Sequence, residues 1–176
     1  MANPLYDNLI GKHATNDACF LRQPGKPTVS FRQFSERTSQ VANLLLKHGL
    51  KPGDRVAVQA SKTVEMVILY GATIQAGGVF LSLNTDYKKD EISYFIKDAS
   101  PKIFVCDPQK RKELEQITGQ VGSQVLTLDK DGQGSLQSQA NILSKTFNTI
   151  DRRPDDLVAL LYLSLIHISE PTRRWS

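Results

Sequence analysis

From residue 55 onward, short apolar runs alternate with stretches of helical periodicity, and this alternation constrains the fold more than any other feature of the chain. Strand-length runs stand at 55–59, 79–83, 102–106, 124–128 and 156–162. Between them the apolar residues recur every three or four positions. Residues 62–76 carry Val64, Val67, Ile68 and Ile74, and residues 88–99 carry Ile92, Phe95 and Ile96. Residues 108–117 open with a proline, which the first helical turn tolerates. Strands separated by helices run parallel, joined by crossovers, with helices covering the sheet. The expected class is therefore α/β, a largely parallel sheet flanked by helices.

The first fifty residues follow a different pattern. Leu5, Leu9 and Ile10 share one face of an expected helix at 4–14. Strand-like runs at 18–21 and 28–30 flank Pro24-Gly25-Lys26-Pro27 and read as a hairpin. Ser30 and Gln33 have capping-box spacing, in which hydroxyl and amide satisfy two free N–H groups. Phe34, Val41, Leu44 and Leu45 then supply a buried stripe, which stops at Gly49 after His48. Lys51-Pro52-Gly53-Asp54 is a turn, and Pro101 breaks the helix before it. A polar turn at 129–134 precedes an expected helix at 136–147.

Composition narrows the function classes. The chain has 176 residues, 40% hydrophobic and 23% charged, so it folds rather than staying disordered. The net charge of +4 is dispersed, and the basic runs at 110–112 and 152–153 have acids close by. A nucleic-acid face clusters its charge and adds stacking aromatics, and neither is present. Cys19 and Cys106 both lie in apolar stretches, so both are expected as buried, unpaired thiols in a reducing compartment. Residues 1–15 hold no apolar signal core, and no apolar run approaches a membrane span. A cytoplasmic protein is expected.

Local motifs carry little chemistry. There is no G-x-x-x-x-G-K-[ST] loop and no G-x-G-x-x-G fingerprint. Gly77-Gly78 is expected to end a helix, not to cradle phosphate. There is no His/Cys cluster of metal-ligand spacing. Ser164 and His167 have the look of nucleophile and base. His13 and His48 sit near helix ends, and Lys88-Lys89-Asp90-Glu91 looks like a charged helix start. Structural roles are expected for these last three.

The order of the segments says more. The strings TVSFRQF at 28–34, VANLLLKHG at 41–49, KPGDRVAV at 51–58 and AGGVFLSL at 76–83 resemble the N-terminal region of the adenylate-forming acyl-CoA synthetases. Within that superfamily, RVAVQASKTVEMVILY at 55–70, LNTDYKKDEISYFIKD at 83–98 and the Gly-x-Gly-Ser-Leu at 132–136 are most similar to malonyl-CoA synthetases. The resemblance covers nearly all of residues 1–162 and implies part of an N-terminal AMP-binding domain.

The last fourteen residues differ in character. LSLIHISEPTRRWS at 163–176 contains the only Trp of the chain and resembles the translation of a transposase-type sequencing adapter. In the family, a strand like DDLVALLY at 155–162 leads into a Ser/Thr/Gly-rich loop ending Lys-Gly that holds the ATP phosphates. The expectation is a fragment cut just before that loop, with 163–176 a non-native tail. Ser164, His167, Arg173, Arg174 and Trp175 then carry no function.

The resemblance implies a ligase that uses ATP, Mg²⁺ and CoA. A carboxylic acid is activated to an acyl-adenylate, and the CoA thiol then attacks the acyl carbon. Malonate or methylmalonate is the implied acid. The alternatives are another acyl or aryl acid, or a truncated non-catalytic paralogue. An unrelated nucleotide-binding domain is disfavoured by the missing phosphate loop. No catalytic, cofactor-binding or metal-ligating residue carries over, because the family's functional segments have no matching position here. Asn84 and Thr85 end a strand that would lie near the cleft, where capping a turn is their expected role.

Overall fold

The computed structural model of the chain describes residues 3–162. Its elements, in order, are α1 Pro4–Leu9, β1 Cys19–Leu21, β2 Val29–Ser30, α2 Phe31–Lys47, β3 Arg55–Gln59, α3 Val64–Gln75, β4 Val79–Ser82, α4 Lys89–Ala99, β5 Ile103–Cys106, α5 Arg111–Thr118, β6 Gln124–Thr127, α6 Ser135–Ala140 and β7 Ala159–Leu161. Five strands form one sheet in the order β6-β5-β3-β4-β7, with every pairing parallel. The α/β class and the parallel sheet expected from the alternation are therefore present.

Both faces of the sheet are covered, which explains the apolar runs without polar alternation. Val56, Val58, Phe80, Ile103, Val105 and Leu126 pack on one face, against α2, α3 and α6. Ala57, Leu81, Phe104 and Cys106 pack on the other, against Ile92 and Ile96 of α4 and Leu114 and Ile117 of α5. Each large side chain buried this way stabilises the fold by roughly 1.5–3 kcal/mol.

Local signals set the element ends. Ser30 Oγ accepts from the Gln33 N–H at 3.2 Å, and Gln33 Oε1 accepts from the Ser30 N–H at 3.0 Å. That reciprocal cap starts α2 as its spacing implied. α4 stops at Ser100, whose φ is +43°, directly before Pro101. There the Arg55 guanidinium donates to the Ala99 carbonyl at 2.5 Å and the Ser100 carbonyl at 3.1 Å, placing a cation on the negative end of the helix.

The Gly-x-Gly at 132–134 is explained by backbone geometry. Gly132 has φ +82° and packs against Glu65, so a Cβ there would overlap the carboxylate. Gly134 has φ +144°, and a Cβ there would lie 2.7 Å from the Thr127 carbonyl carbon. The motif seats the turn before α6 against β6 and α3, and it is structural.

Four expectations change. The helix at 4–14 is α1 followed by a 3-10 turn at Gly11–His13, and Leu9 points outward at 49% exposure; Ile10 is buried as expected, and Tyr6 joins it in the core. Val67 is 40% exposed, because α3 buries Ile68, Leu69 and Ala72. The expected helix at 136–147 ends at Ala140. The Gln40 amide donates to the Asn141 and Leu143 carbonyls, and the Asn43 amide to those of Ser144 and Thr146. These side chains of α2 hold the carbonyls in a non-helical path, and Ile142 is left 81% exposed. Finally, Cys19 is exposed while Cys106 is buried. The register of the β1–β2 ladder shifts between Cys19 and Leu21, so the two do not share an inward face. Burial pushes the Cys106 thiol up to about 11.

Candidate functional site

Strand order identifies the place where a ligand fits this fold. β3 leaves its carboxyl end to α3 on one face, and β4 leaves to α4 on the other. Adjacent strands whose connections part in this way open a crevice at their carboxyl ends. A cleft of about 560 Å³ stands there. Ala60, Ser61 and Lys62 from the β3 exit line one side, and Ser82, Leu83, Asn84 and Thr85 from the β4 exit line the other.

The walls are firmly held. Gln59, the buried last residue of β3, donates its amide to the Asn84 carbonyl at 2.9 Å and the Tyr87 carbonyl at 3.2 Å. Asn84 Oδ1 accepts from the Asp86 N–H at 3.0 Å, and the Thr85 carbonyl accepts from Lys110 at 2.9 Å. Asn84 and Thr85 thus line the cleft while capping its turn. Thr63 caps α3 through the Met66 N–H at 3.3 Å. Lys62 is the one charged side chain among the described residues lining the cleft.

The other residues singled out from sequence fall elsewhere. Gly77-Gly78 joins α3 to the amino end of β4, opposite the cleft. The His13 ring packs against Phe31 at 4.8 Å, and His48, at the end of α2, meets Gln139 at 3.2 Å. The Lys88 N–H donates to Glu91 at 2.9 Å, which makes the 88–91 run a helix start. Ser164, His167 and the rest of 163–176 lie outside the described residues. Sequence reasoning missed Ser61 and Lys62, because their importance comes from which strands are neighbours.

Two other clefts, of about 520 and 620 Å³, border α2. In the first, Arg37 pairs with Glu65 at 2.8 Å and Lys145 with Glu36 at 2.9 Å, while Lys26 donates to the Asp131 carbonyl at 2.8 Å. The second shares Lys145 and Glu36, and its Arg32 pairs with Asp17 at 2.6 Å. The cleft at the strand ends is the better site, because it alone of the three lies at the carboxyl ends of neighbouring parallel strands whose connections part.

A nucleoside triphosphate with its metal asks for several N–H donors, more than one cation and carboxylate ligands. The cleft supplies Lys62 and the hydroxyls of Ser61, Ser82 and Thr85. No group of three or more His, Cys, Asp or Glu placed to hold a metal occurs among the described residues. These residues do not make up a metal–nucleotide site by themselves. No helix among them is long and apolar enough to cross a membrane.

Comparison with known proteins defines the class. Residues 11–164 match the model of the AMP-binding enzyme family, and the chain belongs to that family. It is similar to MatB from Rhodopseudomonas palustris, with 45% identity and a TM-score of 0.90 over 93% of this chain and 33% of that one. The ATP-bound form of MatB superimposes with a TM-score of 0.89, over 92% of this chain and 32% of that one. Tyrocidine synthase 2 from Brevibacillus parabrevis is 34% identical over 77% of this chain and 4% of its own length. An acyl-CoA synthetase from Brucella canis shares the fold, with 18% identity and a TM-score of 0.79 over 90% of this chain and 31% of that one. The chain spans about a third of the length of these solved structures and a far smaller part of the peptide synthetase.

Proposed function

We propose that residues 1–162 are part of the N-terminal domain of an AMP-forming acid–CoA ligase whose acid is malonate or methylmalonate. The carboxylate attacks the α-phosphorus of ATP, forming the acyl-adenylate and releasing pyrophosphate. The CoA thiol then attacks the acyl carbon, and AMP leaves. Mg²⁺, where bound, would supply charge neutralisation of the triphosphate. In this reading the metal, the triphosphate and the second carboxylate of malonate are held by segments outside this chain, and residues 163–176 are a non-native tail. The reading takes the cytoplasm, where both ATP and CoA are available, as the compartment.

The observation that carries the reading is the 45% identity to MatB, a malonyl-CoA synthetase, over 93% of the chain. The similarity to tyrocidine synthase 2 favours a second reading, an adenylation domain of a peptide synthetase. It extends over 77% of the chain at 34% identity and is therefore the weaker guide.

The test begins with source DNA read past the Tyr162 codon. An open frame continuing into a Ser/Thr/Gly-rich loop ending Lys-Gly is expected. The intact protein is then assayed for pyrophosphate release with ATP, Mg²⁺, CoA and each acid. A much higher kcat/KM for malonate than for acetate is expected, because an unpaired buried carboxylate costs several kcal/mol and the pocket must answer it with a cation. Equal values on both acids would refute the substrate, and ATP-dependent turnover only with amino acids would establish the second reading.

A further inference from the structure

Three helices meet over a cleft at the other end of the sheet. α1, α2 and the last residue of α3, Gln75, enclose it together with residues 145–149, and its volume of about 620 Å³ is usual for a small-molecule site. Gln75 stands just before the amino end of β4, whereas the β3–β4 cleft lies at the carboxyl ends.

The floor is polar and uncharged. Tyr6 of α1, Ser35 and Ser39 of α2 and Gln75 line it, and all four are buried. Ser35 and Ser39 are four residues apart and share one face of α2. Burial raises the Tyr6 hydroxyl above its ordinary 10.0, so it stays protonated at neutral pH. Polar groups this deep are ordinarily paired. Gln75 is not: it is 3% exposed, its amide nitrogen donates to Ser39 Oγ at a long 3.4 Å, and its Oε1 has no partner. Oε1 is shut off from solvent, but the terminal torsion of a glutamine is broad, so a turn of the amide offers it to a donor in the cleft.

The rim fixes the charge of that donor. Lys145 pairs with Glu36 and Arg32 with Asp17, while Lys12 and Asp7 are opposite in sign. The site therefore presents no net charge to favour an anion or a cation. A hydroxyl donates to a carbonyl and also accepts from serine and tyrosine hydroxyls, so it answers every group of the floor. Phe147 adds an apolar wall for the carbon skeleton.

We propose that this cleft is a second small-molecule site, which takes a neutral polyhydroxylated compound held by Gln75, Ser39, Ser35 and Tyr6. It goes beyond the ligase reading and does not depend on it, because every residue it uses lies in the described part of this chain and its test reads binding instead of turnover.

The test titrates the full, isotope-labelled chain with myo-inositol and with glucose, followed by NMR, with inorganic phosphate and methylamine as charged controls. Saturable shifts are expected at the Gln75 side-chain amide and at Ser35 and Ser39, with the charged controls silent there. Gln75→Met keeps an unbranched side chain without the amide, and Ser39→Ala removes one hydroxyl. Gln75→Met should weaken binding about tenfold and Ser39→Ala about three- to tenfold. Gln75→Met should melt no lower than wild type without ligand, because it removes a buried polar group that lacks a partner; a glutamine that merely fastens the fold would give the opposite. No saturable shift with either polyol would overturn the proposal. So would unchanged affinity in both variants, or a stronger response at Gln75 to phosphate or methylamine than to the polyols.

Discussion

Replacing Gly134 by alanine tests the backbone account of the turn before α6. Gly134 has φ +144° and ψ −175°, a region open in practice only to glycine. An L-residue held there costs about 1–3 kcal/mol. The added methyl would also lie 2.7 Å from the Thr127 carbonyl carbon. That neighbour is backbone of β6, so no rotamer change relieves the overlap and the turn must move away. Moving it breaks the reciprocal pair between Thr127 and Ser135, in which each N–H donates to the other's hydroxyl oxygen at 2.9 Å. Each such bond contributes about 0.5–1.5 kcal/mol. The sum is about 2–6 kcal/mol. Gly25→Ala is the control: its φ is +72°, but nothing lies within 4 Å, so only the backbone cost of about 1–2 kcal/mol applies. For a chain of this size 1 kcal/mol moves the melting temperature by about 2–4 °C. Thermal unfolding followed by circular dichroism should show Gly134→Ala falling well below Gly25→Ala. Equal losses in the two would refute the overlap argument.

Other expectations are briefer. Ser30→Ala removes half of the reciprocal cap and should cost about 1 kcal/mol in urea unfolding. Leu136→Ala empties a fully buried position between α6 and the sheet and should cost about 2–5 kcal/mol by the same measurement. Cys19 should react with a thiol reagent in the native chain, while Cys106 reacts only after denaturation. The Cys106 thiol ionises at about 11 when folded, above its ordinary 9.0. Its protonated form therefore favours the folded state fully below pH 9.0, and that contribution is lost as pH rises toward 11; Cys106→Ala should flatten the fall. The 1–162 chain alone should release no pyrophosphate from ATP and malonate above background.

What was legible in the sequence was local. The short apolar run at 55–59 read as a strand, and Ser30 with Gln33 read as a cap because they stand three positions apart. The misplaced end of the helix at 136–147 came from partners far along the chain. Nothing within 136–147 tells that Gln40 and Asn43 will capture its carbonyls from about a hundred residues away. Cys19 looks inward until the ladder shift is known. The cleft was the least legible feature. Lys62 follows a strand like any other lysine, and it becomes a site residue only because β4 lies beside β3 and departs to the opposite face.

The place of β7 in the sheet has a consequence for synthesis. Tyr87, just past β4, waits for a partner 75 residues further along the chain. Ribosomes add about 5–20 residues per second, so that interval lasts roughly 4–15 s. During it β3, β4, β5 and β6 can pair while one flank of β4 carries unpaired N–H and C=O groups, with Phe80 and Leu81 above and below. Open apolar flanks of this kind recruit wrong partners. Nascent chains should therefore be most prone to self-association, and most in need of a chaperone, between the emergence of β6 and that of Ala159.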